Sequence, residues 1–255
     1  MLKKILSFFT IAILCLGMAG CGLEGNTSKE NNTGTTSENY AEEKEGTENG
    51  VTDSVQDGSE KKSSVPEKAG KVLVAYFTRN GNTDNGFPEG VDAVASASIQ
   101  TDGGKMAGNA ERIAGWIAEK TGGTIHAITT EEKYPSDYDK TVEQAKEEQS
   151  KGTHPDLVSE VEDFDSFQTL VLVFPNWWAD LPMPVYSFFE EYDFAGKNIV
   201  VFCTHGGSGF SDTIRTIQEL EPDAAVTEGL AIYHNDVAEA EDGVVEKLGK
   251  LGIGK

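Results

Sequence analysis

Three short stretches of this chain carry residue types that bind phosphates and planar rings. The first is Thr78-Arg79-Asn80-Gly81-Asn82-Thr83. Hydroxyls, amides and a glycine in this order suit a loop wrapped round a phosphate. Gly81 permits close backbone approach, successive N–H groups form an anion nest, and Thr78 and Thr83 offer hydroxyl donors. The same six residues also read as an ordinary surface turn. The second stretch is Pro175-Asn176-Trp177-Trp178-Ala179-Asp180. One tryptophan can stack on an aromatic ligand while the other packs inward. Asp180 reads as a surface charge near a helix start. The third is Thr204-His205-Gly206-Gly207-Ser208-Gly209. Its backbone groups, with those of residues 176–179, can hydrogen-bond the edge of a ring. His205 is open to two readings, a solvated loop side chain or a ligand contact. Together the three stretches suit a planar aromatic ligand that carries a phosphate.

Each stretch follows an apolar run. Val72, Leu73, Val74 and Ala75 show no polar alternation, as expected of a strand buried on both faces of a parallel sheet. Residues 169–174 and 198–204 repeat that pattern, and 124–129 and 226–233 read as further strands. Helices are expected between them. One is capped by Asn109, has an apolar stripe of Ile113, Trp116 and Ile117, and ends at Gly122-Gly123. The others cover 141–151, 184–192, a stretch capped by Ser211 or Asp212 that runs to about 220, and 239–251. Alternating strands and helices predict an α/β fold: a doubly wound, five-stranded parallel sheet of order 2-1-3-4-5 with helices on both faces. In such a sheet ligands bind beyond the carboxyl ends of the strands, where the loops after the first, third and fourth strands meet. One segment, 84–106, is out of place. Its glycines and Pro88 exclude a long helix where the first helix would begin.

The 255 residues divide into three parts. Residues 1–20 carry a basic head (Lys3, Lys4), an apolar run too short for a comfortable span, and small residues before Cys21. This order resembles a bacterial lipobox, with Cys21 as the lipidated residue; plain secretion with a free Cys21 is the other reading. Residues 21–70 are polar and acidic and lack the apolar surface to offset the entropy of ordering, which predicts a disordered tether. Residues 71–255 hold the folded domain. The net charge of −22 repels nucleic acid and anionic membrane surfaces. Three cysteines make no disulfide framework, and Cys203 reads as a small buried hydrophobe.

Residues 71–255 resemble the flavodoxin family, and more closely its bacterial lipoprotein members. The matching pieces are YFTRNGNT from Tyr76, FPNWWADLPMPV from Phe174 and FCTHGGSGFSDT from Phe202. The resemblance implies FMN bound non-covalently. It implies a phosphate held by Thr78, Arg79, Asn80, Gly81, Asn82 and Thr83. It implies a ring enclosed by Pro175, Asn176, Trp177, Trp178, Ala179, Thr204, His205, Gly206 and Gly207. It implies no metal and no protein residue acting as acid or base. Residues 92–98 faintly resemble a signature for covalent FMN attachment but lack its glycine and threonine. Arg79 is expected either beside the phosphate or in solvent. Either the 84–106 insertion loops out and residues 108–110 return to the phosphate, or the pocket is altered. The second loop has no glycine, so a left-handed residue there costs about 1–2 kcal/mol. That opposes a peptide flip of the flavodoxin kind and favours behaviour closer to two-electron transfer.

The expected function is electron transfer by an extracytoplasmic flavoprotein, lipid-anchored to the bacterial cell membrane. Its partner would be a redox protein or a small-molecule electron acceptor. The alternatives are an FMN-dependent NAD(P)H or quinone reductase on the same fold, and a cofactor-free binding module.

Overall fold

The computed structural model describes residues 70–84, 99–102 and 105–254. The signal segment, Cys21, the tether up to residue 69 and residues 85–98, which include the stretch weighed for covalent attachment, lie outside these residues. The first described strand is β1 (Val72–Tyr76). A short antiparallel hairpin follows, β2 (Ile99–Asp102) and β3 (Lys105–Gly108), and leads straight into α1 (Asn109–Thr121). Then come β4 (Thr124–Ala127), α2 (Tyr138–Lys151), β5 (Thr169–Pro175) and α3 (Met183–Glu191). The chain finishes with β6 (Asn198–His205), α4 (Thr213–Leu220), β7 (Ala225–Tyr233) and α5 (Glu241–Lys250). Apart from the hairpin, five strands form one parallel sheet of order β4-β1-β5-β6-β7, which is the expected 2-1-3-4-5 pattern.

Strand pleating sorts the core into two layers. Leu73, Ala75, Phe77, Leu170, Leu172, Phe174, Ile199, Val201 and Cys203 point to one face, against Ala145 of α2, Val185 and Phe188 of α3, and Ile217 of α4. Val72, Val74, Val171, Val173, Val200 and Phe202 point to the other, against Ile113 and Ile117 of α1 and Val244 and Leu248 of α5. Burial on both faces explains why these strands read as continuous apolar runs. Opposite Phe202 the β6–β7 register slips, and a Cβ at Gly229 would lie 2.6 Å from both the Phe202 ring and the Val201 carbonyl oxygen. Glycine is required there because β7 bulges against its neighbour.

Several expected boundaries move, each for a local reason. Gly108, not Asn109, is the N-cap of α1; β3 runs extended up to Gly108, and Asn109 is already helical and buried. α2 starts at Tyr138, three residues before 141, because the Asp137 carboxylate accepts the Lys140 N–H at 3.0 Å. Neither Ser211 nor Asp212 caps α4 with its side chain. The Ser211 hydroxyl donates to the Ser208 carbonyl, and Asp212 pairs with Arg215 at 2.9 Å. β4 stops at Ala127 because the backbone beyond it turns to pair with the 156–158 segment. A 3₁₀ turn, His234–Glu239, precedes the last helix, which begins at Glu241, two residues after the expected start at 239.

Candidate functional site

The first loop leaves β1 at Phe77 and is tied down by its own side chains. The Asn82 N–H closes a turn onto the Arg79 carbonyl at 3.0 Å, and Gly81 takes φ +86°. Asn82 is 3% exposed. Its amide donates to the carbonyls of Thr78 (2.9 Å) and Ile128 (3.0 Å) and accepts from the Thr130 N–H (2.9 Å) and hydroxyl (3.2 Å). The Thr83 hydroxyl donates to the Arg79 carbonyl at 2.8 Å. The segment before α2 zips along this loop. Tyr134 N–H donates to the Asn82 carbonyl, Asp84 N–H to the Tyr134 carbonyl, and the Lys133 ammonium to the Gly81 carbonyl at 3.0 Å. Arg79 is not in solvent. It is 1% exposed, and its guanidinium donates to the Ser136 carbonyl at 2.7 Å beside the Tyr138 ring. Burial lowers its pKa, with Tyr138 and Asp137 opposing that shift.

The start of α1 returns to this loop. A Cβ at Gly108 would fall 2.0 Å from the Thr78 hydroxyl, so only glycine fits. Residue 108 thus lies beside Thr78, while residues 85–98 of the insertion lie outside the described residues. Glu111 then folds over the helix start. Its carboxylate accepts the Gly108 N–H at 3.2 Å and the Asn80 side-chain amide at 3.1 Å. Burial, and then the Glu111 charge, raises the pKa of Tyr76.

The second loop follows β5. Asn176 N–H donates to the Thr204 carbonyl at 2.7 Å, and its side-chain amide reaches the carbonyls of Gly209 and Phe210. The Asn176 Oδ1 is buried and has no donor among the described residues. Trp177 and Asp180 exchange both backbone hydrogen bonds at 3.1 Å. The central residues, Trp178 and Ala179, have φ 50° and 66°, the sign pattern of a type I′ turn. One of the two tryptophans packs inward. Trp177 packs edge-on against Phe77 (5.3 Å) and Tyr134 (5.7 Å), while Trp178 is 42% exposed with the Lys146 ammonium 5.7 Å from its ring. Asp180 is more than a surface charge. It accepts from Leu181 N–H (2.8 Å), the Tyr186 hydroxyl (2.8 Å) and the Thr216 hydroxyl (3.0 Å).

The third loop follows β6. The His205 Nδ1 accepts the Gly207 N–H at 2.9 Å. Burial lowers the pKa of His205; His234 adds to the shift, while the Ala231 carbonyl and Asp236 oppose it. A Cβ at Gly206 or Gly207 would meet nothing within 4 Å among the described residues. Cys203 lies buried beneath, and burial pushes its thiol up to about 12. No group of three metal-ligating side chains occurs among the described residues, and none of the described helices is long and apolar enough to cross a membrane.

The flavodoxin family model matches residues 104–248, more than half of the chain. The chain belongs to the flavodoxin family. The match begins within the hairpin, after the first loop and most of the insertion, as expected if the insertion interrupts the family pattern. Among solved structures, a candidate flavoprotein from Bacteroides uniformis is 26% identical, with 68% of this chain and 97% of that one covered and a TM-score of 0.50. A second, from Bacteroides eggerthii, is 21% identical over 69% and 98% of the two chains, with a TM-score of 0.49. A flavoprotein from Lactobacillus acidophilus, solved in complex with FMN, is 14% identical over 68% and 99%, with a TM-score of 0.47. No protein with a curated function matches. Within this flavodoxin fold, reasoning from the sequence missed Glu111, Lys133 and Lys146. Each lies on an element other than the three loops, and only the topology brings it to them.

Proposed function

We propose that the chain is an extracytoplasmic, membrane-tethered flavoprotein that binds FMN non-covalently and transfers electrons. The observation that carries this reading is the convergence of three loops. Thr78 and Asn176 follow β1 and β5, His205 ends the neighbouring β6, and the start of α1 lies against Thr78. The donor set suits FMN. Backbone of the Thr78–Thr83 loop and the start of α1 would hold the phosphate. The exposed Trp178 ring and the Gly206-Gly207 backbone would flank the isoalloxazine, and the buried Asn176 Oδ1 supplies an acceptor that still lacks a donor. Bound flavin supplies the redox chemistry, and the chain's residues bind it, orient it and exclude water. The acidic character of the chain disfavours added negative charge on a bound ligand and lowers its reduction potential.

The test is the absorption spectrum and flavin content of the purified full chain. Flavin bands with about one FMN per chain are expected; a colourless chain that FMN does not titrate would leave a cofactor-free binding module. Steady-state NAD(P)H oxidation with a quinone acceptor separates a reductase from a carrier, and slow turnover is expected. Anchoring rests on the order of residues 1–21. Cys21→Ser should move the protein from the membrane fraction to the medium, and unchanged fractionation would remove the lipid anchor from this reading.

A further inference from the structure

The turn from Trp177 to Asp180 adopts a conformation that its own residues disfavour. Both central residues have positive φ, and neither is glycine. Left-handed backbone lowers the population of an ordinary L-residue by about tenfold per residue. Such a pair persists only where its surroundings over-determine it. The two backbone hydrogen bonds that close the turn are common to any two-residue turn, so they do not explain the persistence.

The anchoring of the next side chain does. The Asp180 carboxylate takes donors from three directions: Leu181 N–H from its own segment, the Tyr186 hydroxyl from α3 and the Thr216 hydroxyl from α4. Tyr186 is itself held, stacked on His154 at 5.1 Å, and His154 Nδ1 lies 2.7 Å from the Glu190 carboxylate. On the other side of the turn the Asp212 N–H donates to the Ala179 carbonyl at 3.1 Å. We propose that Asp180 is the positioning residue for the ring end of the site: it holds Trp178 and Ala179 in the left-handed pair and thereby fixes the exposed Trp178 ring at one angle to the ligand. The consequence for a ligand rests on the flavin reading. The effect on the turn does not.

The turn carries its own spectroscopic signature. The rings of Trp177 and Trp178 lie 6.0 Å apart at 63°, a geometry that gives an exciton-coupled couplet in the circular dichroism of the flavin-free chain. Wild type, Asp180→Ala, Asp180→Asn, Ala179→Gly and the Asp180→Ala/Ala179→Gly double variant would be compared as full chains, with Trp178→Phe to assign the couplet and riboflavin as the ring probe. Asp180→Ala should lose the couplet and weaken riboflavin binding by about tenfold. Asp180→Asn should keep both, because its Oδ1 still accepts from Leu181 and Thr216 while its amide donates to the Tyr186 oxygen. Glycine at 179 removes one strained residue. The penalty of Asp180→Ala should therefore shrink several-fold on that background. A couplet absent from wild type or unchanged in Asp180→Ala, or an equal penalty on both backgrounds, overturns the proposal. If the wild type binds neither riboflavin nor FMN, the flavin reading falls, and the couplet still decides the role of Asp180.

Discussion

At the first loop the positive φ falls on a glycine; at the second it falls on a tryptophan and an alanine. At the first, the side chains of Asn82 and Thr83 are turned inward to hold the loop. At the second, Trp178 faces outward and the loop is held by side chains of α3 and α4 acting through Asp180. The two loops are thus held in place in opposite ways. A phosphate is bound well by oriented N–H groups, which need a fixed backbone and no particular side chain. A planar ring is bound by an aromatic face, which needs a side chain, and a side chain large enough to stack rules out glycine at that position.

The sharpest way to break this contrast is at Asn82. Asn82→Ala removes an amide that serves two carbonyls, an N–H and a hydroxyl, and leaves buried polar partners unsatisfied. Each orphaned buried group costs about 1–3 kcal/mol, so unfolding free energy should fall by about 3 kcal/mol or more. For a domain of this size that is roughly a 6–12 °C drop in Tm, read by thermal unfolding. Asp180→Ala should cost clearly less stability. Equal losses would mean that both loops are structural in the same sense.

Glycine exchange gives a smaller effect with opposite signs at the two loops. Gly81→Ala meets nothing within 4 Å, so its cost is backbone strain alone, about 1 kcal/mol of destabilisation. Ala179→Gly relieves strain but loosens the unfolded chain, for a net gain of about 0.5 kcal/mol. Urea unfolding of the two variants should bracket the wild type. Shifts of the same sign would show that Ala179 is not strained.

The strand order, the three loops and the inward packing of one tryptophan were legible in the sequence because each depends on local pattern: apolar runs, turn residues, an aromatic pair. The roles of Arg79, Asn82 and Asp180 were not. A threonine- and asparagine-rich loop looks the same whether its side chains face a ligand or fold back on carbonyls, and here the partners of Asn82 include Ile128 and Thr130, brought in by β4. Arg79 is captured by Ser136 and Tyr138, far along the chain. Asp180 is defined by helices that follow it. The hairpin β2–β3 escaped because glycines that forbid a helix do not say what replaces it.

The third loop carries a pH-sensitive group. Burial holds the folded pKa of His205 below its ordinary value of about 6.5. The unfolded chain therefore binds the proton more readily, and the contribution of neutral His205 to stability is lost as pH falls below about 6.5. Within the folded state, protonating Nδ1 removes the acceptor of the Gly207 N–H. Riboflavin affinity should weaken between pH 8 and 5 in the wild type and stay flatter in His205→Asn. Parallel profiles for the two proteins would place the sensitivity elsewhere.

The smallest expected effect is at the α1 start beside the first loop. The Glu111 carboxylate sits on the α1 start, held by Gly108 N–H and Asn80, and so places a negative charge beside donors that suit a phosphate. Glu111→Gln keeps an oxygen for the Gly108 N–H and removes the charge. Loss of an acidic group from the first helical turn costs about 0.3–1 kcal/mol of stability. Relief of repulsion should tighten FMN by about threefold, a partly screened interaction worth roughly 0.6 kcal/mol. Riboflavin, which has no phosphate, should bind both proteins alike, and the FMN gain should shrink in high salt. The ratio of FMN to riboflavin affinity is therefore the quantity to measure. A ratio that falls in Glu111→Gln would show that the carboxylate serves the phosphate loop as a brace for Asn80, and that its placement outweighs its charge.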